Sequence, residues 1–218
     1  MNARSQTLEL TVEPRQVKEA VASLFHTVLF HRTVGKFEFI PETPRYTVGT
    51  IGFCDVDCDF IDLTYVCCDS EDLDRNLKKE ISAFSDSLHR SAQQTTGQIS
   101  LEFFQRKKNR WPFPIESTWE VWTVRVEIIR LNSEYERELS REKVGDMLTE
   151  KILYIVEVMN RNSYIPEFPV EAEVDLVFDT TYEGIQPYLF KLSHTLAGPP
   201  NNTVGLTMKK LWKETLTY

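Results

Sequence analysis

The chain runs to 218 residues, of which 41% are hydrophobic, 27% charged and 11% aromatic, a balance that supports a continuous core and excludes disorder as a global state. A formal net charge of -8 excludes a dedicated nucleic-acid binder, because neutralising phosphates needs a basic face, and any basic function here must be local. No run reaches the roughly 20 apolar residues of a membrane-spanning helix, and Met1–Val12 lacks the unbroken apolar stretch of a signal peptide, so a cytoplasmic location is expected.

Leu8, Leu10 and Val12 alternate as a strand does, after which Glu13-Pro14 opens a different period, with Val17, Ala20, Val21, Leu24, Phe25, Val28 and Leu29 at helical spacing. Proline fits a first helical turn because its missing N–H would be unpaired there anyway, and a helix is predicted from about Pro14 to His31. Phe37–Ile40, Tyr46–Phe53 and Phe60–Cys67 are rich in β-branched and aromatic residues and read as a meander. Asp69 and Ser70 then offer N-caps to a helix carrying Leu73, Leu77, Ile81, Phe84 and Leu88 on one face, which the polar stretch Ser91–Gly97 ends as a loop.

Ile99, Leu101 and Phe103 alternate, a basic and aromatic loop follows, and Trp119–Leu131 is a long β-rich run, so the region reads as a long hairpin with an unusual tip. Beyond Glu134 the period turns helical again through Val144, Met147, Leu148, Ile152, Ile155, Val156 and Met159, ending near Asn160. This is read as the most apolar helix and the central one. Pro166–Pro187 looks irregular with one short helix, Tyr188, Phe190 and Leu192 alternate as a strand, and Gly198–Asn202 signals a turn. Residues beyond Thr203 fit strand and helix equally. Strands and helices interspersed without a βαβ rhythm, and without repeat or long linker, predict a single α+β domain over residues 1–218, with a largely antiparallel sheet and three main helices.

Motifs that would carry chemistry are incomplete. Asp55, Asp57 and Asp59 alternate as at the start of an EF-hand loop, but the glycine and glutamate that such a loop requires further on are replaced by Phe60 and Val66, so a solvated turn is the plainer reading. Cys54 and Cys58 would be half of a zinc site, yet Cys67 and Cys68 are adjacent and point to opposite faces of a strand; reduced, half-buried thiols are expected. His26, His31, His89 and His194 are scattered and form no HExxH pattern. Gly35-Lys36 lacks the upstream glycine of a phosphate loop, and neither GxGxxG nor GxSxG occurs. No cofactor, no metal and no catalytic residue is therefore assigned.

The segment with positive content is Arg106–Pro114, in which Trp111, Pro112 and Phe113 stand among prolines and cations that a central strand would not accommodate. Composition alone allows two arrangements. The rings tuck beneath the loop, as large aromatics usually do, or they form a proline-stiffened finger of the kind that interface hot spots favour.

Longer strings decide further. Asp55–Asp62, Leu101–Lys108 with Arg110–Phe113, Trp119–Val124, Ile155–Arg161 and Gln186–Leu189 closely resemble the animal autophagy-related protein 101 family, over nearly the whole chain. The resemblance implies a HORMA fold, a heterodimer with the HORMA domain of autophagy-related protein 13, and membership of the autophagy-initiating Unc-51-like kinase complex, whose kinase activity resides in another subunit. It further implies that Trp111, Pro112 and Phe113 are the exposed finger that recruits downstream factors to the phagophore assembly site, which reverses the burial preference. Pairing through the element Ser140–Asn160, and an open-like arrangement leaving the tail at about 198–218 free, are implied as well. The link Pro114–Thr118 and the turn Gly198–Asn202 depart from the family pattern. Two other classes stand beside this one: a peptide-clamping HORMA switch of the checkpoint type, and a metal-dependent hydrolase using Asp55, Asp57, Asp59 and Asp62.

Overall fold

The structure is a computed structural model that describes residues 3–40, 42, 45–90, 95–107, 115–161 and 165–196. Strand β1 (Arg4–Val12) runs into a 3₁₀ turn, Pro14–Gln16, and helix α1 (Val17–His31), as the change of period predicts. Short strands β2 (Thr33–Gly35), β3 (Phe37–Ile40), β4 (Arg45–Val48), β5 (Phe53–Asp57) and β6 (Thr64–Cys68) precede helix α2 (Glu71–Arg90). Strands β7 (Thr96–Lys107) and β8 (Ile115–Ile128) form the predicted hairpin. Helix α3 (Glu134–Asn160), a 3₁₀ turn at Glu171–Leu176, β9 (Ile185–Pro187) and β10 (Phe190–Leu196) complete the described elements.

The principal sheet has the order β1-β8-β7-β10, antiparallel except where β1 lies parallel to β8. Alternation along its strands places Leu8, Leu10, Ile99, Leu101, Trp122, Val124 and Val126 in the core, with Ser100, Glu102, Thr123 and Arg125 between the buried positions. Helix α1 packs against α2, α3 and β6, and it buries eleven of its fifteen residues, whereas α3 buries seven of twenty-seven. The central apolar helix is therefore α1 and not α3. Its environment explains this: helix, helix and strand surround α1, while α3 has one buried stripe through Val144, Leu148, Ile155 and Val158. A capping box fixes the start of α3, where Ser133 Oγ accepts the Glu136 N–H at 3.1 Å and Glu136 Oε2 accepts the Ser133 N–H at 3.2 Å.

The predicted meander is instead two separate ladders, β3 with β4 and β5 with β6. The run Tyr46–Phe53 breaks at Gly49-Thr50-Ile51-Gly52, because Gly49 passes directly over Gly35: a Cβ on Gly35 would lie 2.1 Å from the Gly49 carbonyl oxygen. Likewise β6 begins at Thr64 and not at Phe60, since residues between β5 and β6 form a turn closed by Cys58 N–H donating to Leu63 O at 3.0 Å. The tail expected at about 198–218 lies outside the described residues.

Candidate partner-binding site

The β7–β8 hairpin is two structures joined at a bulge. From Thr96↔Glu127 to Phe103↔Glu120 the pairing is regular; it then jumps to Phe104↔Thr118, leaving Trp119 as the additional residue. The bulge explains two buried neighbours on each strand, Phe103 with Phe104 and Trp119 with Glu120, where strict alternation allows one. Beyond it the ladder continues to Lys107↔Ile115, but Arg106, Lys107, Ile115 and Glu116 are exposed and only Gln105, Ser117 and Thr118 remain partly covered. Residues 108–114 join these two strand ends. Trp111, Pro112 and Phe113, the predicted binding residues, fall within that segment and so lie outside the described residues.

Beneath the bulge is a buried ion pair. Arg32, which caps the C-terminus of α1, directs Nε to Glu120 Oε2 at 2.7 Å and Nη2 to Glu120 Oε1 at 3.3 Å, with both side chains at most 3% exposed. Trp122 Nε1 donates to Glu120 Oε1 at 3.0 Å, so one carboxylate serves three donors. The guanidinium lies 5.7 Å from the Trp119 ring, while Trp119 meets Tyr188 and Phe103. Tyr188 N–H in turn donates to the Arg32 carbonyl at 2.9 Å. Such a fork fixes the direction in which the strand leaves the core, because a bidentate pair constrains angle as well as distance. Outside, Lys191 Nζ sits 5.4 Å from the Phe104 ring and 3.4 Å from Glu116, and the Arg106 guanidinium is 5.8 Å from Phe104. The sequence signal for Arg32 and Glu120 is faint: a carboxylate between two tryptophans, and an arginine where a helix gives way to a strand.

The remaining candidate residues occupy the β5–β6 hairpin and its surroundings. Asp57 accepts the Thr64 hydroxyl, and the turn after it is clamped from two helices: Glu19 of α1 accepts the N–H groups of Asp59 and Phe60 at 2.8 and 2.9 Å, and Arg141 of α3 donates to Asp59 O at 2.8 Å. The acidic string thus serves a docked turn. Among the described residues no three His, Cys, Asp or Glu side chains converge where a metal could be held. Cys67 and Cys68 are each 3% exposed, which corrects the expectation of half-buried thiols. Cys67 alternates with Tyr65 on one face of β6, its sulfur 3.0 Å from that of Cys54, and Cys68 meets the Thr33 side chain of β2. Burial drives the Cys67 and Cys58 thiols up to about 12. His26 is 2% exposed and stacks on Tyr65, and burial holds it down to about 4 against the opposing pull of Asp74. His31 also titrates below the usual range, through burial first and the neighbouring Arg32 second. Among the described residues no helix is long and apolar enough to cross a membrane.

A largely antiparallel sheet against three main helices, with a long hairpin carried out of the core by a bulge, defines an α+β protein of the HORMA-like class. Comparison with known proteins carries this further. The family model described as Autophagy-related protein 101 matches residues 9–172. The chain is 52% identical over 217 residues to Autophagy-related protein 101 of Homo sapiens and 51% identical over 217 residues to that of Xenopus tropicalis, in each case over 99% of both chains. A protein of the same name from Arabidopsis thaliana shares 25% identity over 128 residues, 57% of this chain and 53% of its own. The chain belongs to the autophagy-related protein 101 family.

Proposed function

We propose that the chain is a non-catalytic adaptor of the autophagy-initiation kinase complex, acting in the cytoplasm and at the phagophore assembly site. In this reading residues 1–218 are one HORMA domain with a loop at about 106–117 and a C-terminal tail at about 198–218. It pairs with and stabilises the HORMA domain of autophagy-related protein 13 within the Unc-51-like kinase complex, and Trp111, Pro112 and Phe113 recruit downstream factors. The observation that carries it is the loss of burial across the Trp119 bulge, which takes the strands flanking these residues away from the core. Aromatic rings beside a proline, on a segment whose neighbours are already exposed, suit a binding loop that loses little entropy on docking.

Co-purification with the HORMA domain of autophagy-related protein 13 tests the first half. A one-to-one complex that raises the partner's solubility is expected, and no association at micromolar concentration overturns the adaptor reading. Trp111→Ala with Phe113→Ala tests the second half. The double variant is expected to keep that complex and its own melting midpoint while losing recruitment of downstream factors; undiminished recruitment overturns the role of the loop.

A further inference from the structure

We propose that Cys54 and Cys67 form a reversible dithiol–disulfide pair, oxidised by hydroperoxides, that closes the β5–β6 hairpin covalently.

The two residues are direct cross-strand partners, Cys54 on β5 and Cys67 on β6, and their sulfurs lie 3.0 Å apart as free thiols. Flanking contacts fix the kind of pairing. Asp69 N–H donates to Gly52 O at 3.0 Å and Cys58 N–H to Leu63 O at 3.0 Å, and counting inwards by alternate positions from either end makes Cys54↔Cys67 a hydrogen-bonded pair. Opposed Cα atoms in such a pair are about 5.5 Å apart, at the commonest separation for disulfide-linked residues. The Cα separation is therefore within a disulfide's reach, and closing the 3.0 Å gap between the sulfurs to a bond takes a local adjustment that draws the two strands together.

Access distinguishes the two sulfurs. Cys54 is the one exposed cysteine of the four, whereas Cys58, Cys67 and Cys68 are buried. Hydrogen peroxide meets Cys54 first: its thiolate attacks one peroxide oxygen, the O–O bond breaks, and the other oxygen leaves as hydroxide, which takes the proton lost by the thiol to become water. The product is the Cys54 sulfenic acid. Cys67 sulfur then attacks the Cys54 sulfur, the S–O bond breaks, and hydroxide takes the Cys67 proton to leave as a second water. In sum two thiols are oxidised, one peroxide is reduced, and two waters form. The resolving sulfur is buried and its thiol is held up to about 12, so Cys67 is poorly suited to react with oxidant itself and is activated by the proximity of the sulfenic acid. Exposure on the Cys54 side leaves the bond open to a small thiol reductant, which makes the change reversible.

The ring so formed encloses the turn held by Glu19 and Arg141, adding a covalent closure to a hairpin whose turn is also anchored by buried Ile61. The test uses the full chain. It is exposed to hydrogen peroxide, quenched by alkylation, and mapped by mass spectrometry of a digest made without reductant. The expected result is a Cys54–Cys67 linked peptide, lost on treatment with dithiothreitol, absent in Cys54→Ser and retained in Cys58→Ser. Because Cys54 is exposed, Cys54→Ser should fold normally, which its melting midpoint checks. Linkage of Cys54 to Cys58 or Cys68, linkage only between chains, or Cys54 carrying two or three oxygens without a link would each overturn the proposal.

Discussion

Two hairpins in this molecule are built on opposite plans. The β7–β8 hairpin begins deep in the core and is let out of it: a bulge at Trp119 turns it, a buried Arg32–Glu120 fork fixes the turn, and the strands beyond emerge into solvent. The β5–β6 hairpin begins at the surface and is drawn in, with its turn pinned by Glu19 from α1 and Arg141 from α3, and Tyr65 stacked on His26. One carries its strand ends out of the core, and the other uses a turn as cement between helices. A charge serves both, but a buried charge is decisive for direction and an exposed one contributes a modest tie.

The sharpest way to break the contrast is Glu120→Ala. It leaves the Arg32 guanidinium buried without its partner, and a loss of about 3–5 kcal/mol in denaturant unfolding is expected. Glu120→Gln keeps an acceptor for Trp122 Nε1 yet should recover little, because the unpaired cation remains. Arg32→Met with Glu120→Leu should recover more than either single change. Acid acts next, on the other hairpin. His26 titrates near 4 in the folded chain, below its unfolded value of 6.5, so between those values the unfolded state binds the extra proton and stability falls as pH falls. The loss is on the order of 3 kcal/mol, complete below about pH 4, and His26→Gln should flatten that window in pH-dependent melting.

Gly145→Ala comes third. Alanine would favour α3 by about 1 kcal/mol on propensity, but its Cβ would stand 2.4 Å from the Asp62 carbonyl oxygen where the β5–β6 turn meets the helix. Steric displacement of backbone should win, with a net loss of about 1–3 kcal/mol by chemical denaturation. Smallest is Glu19→Ala, which frees the Asp59 and Phe60 amides to water and should cost about 1 kcal/mol. Its signature is faster hydrogen exchange at those two amides with the β7–β8 hairpin unchanged.

Periodicity in the sequence reveals β1, α1, α2 and the β7–β8 hairpin, since each has one buried face and its apolar spacing reports it directly. It fails where backbone meets backbone: the Gly35–Gly49 crossing that splits the expected meander depends on two residues without side chains. It also misses how far α1 is buried, because Ser23, His26 and Thr27 are enclosed there although polar, while the long apolar series Val144–Met159 of α3 has a single buried stripe. At the site, Trp111, Pro112 and Phe113 stand out as a motif, whereas Arg32 and Glu120 do not. Each is a lone charge on its own segment, and only the pairing across 88 positions gives it meaning.

The parallel pairing of β1 with β8 sets Arg4 opposite Glu120 and Val12 opposite Ile128. During synthesis β1 therefore waits until α1, α2 and β7 have been made before its partner exists. Long-range pairing of this kind slows folding and leaves an unpaired edge available to other chains meanwhile. Residues of β1 are thus secured later than the helices that follow them, and nascent chains stopped short of β8 should be the aggregation-prone ones.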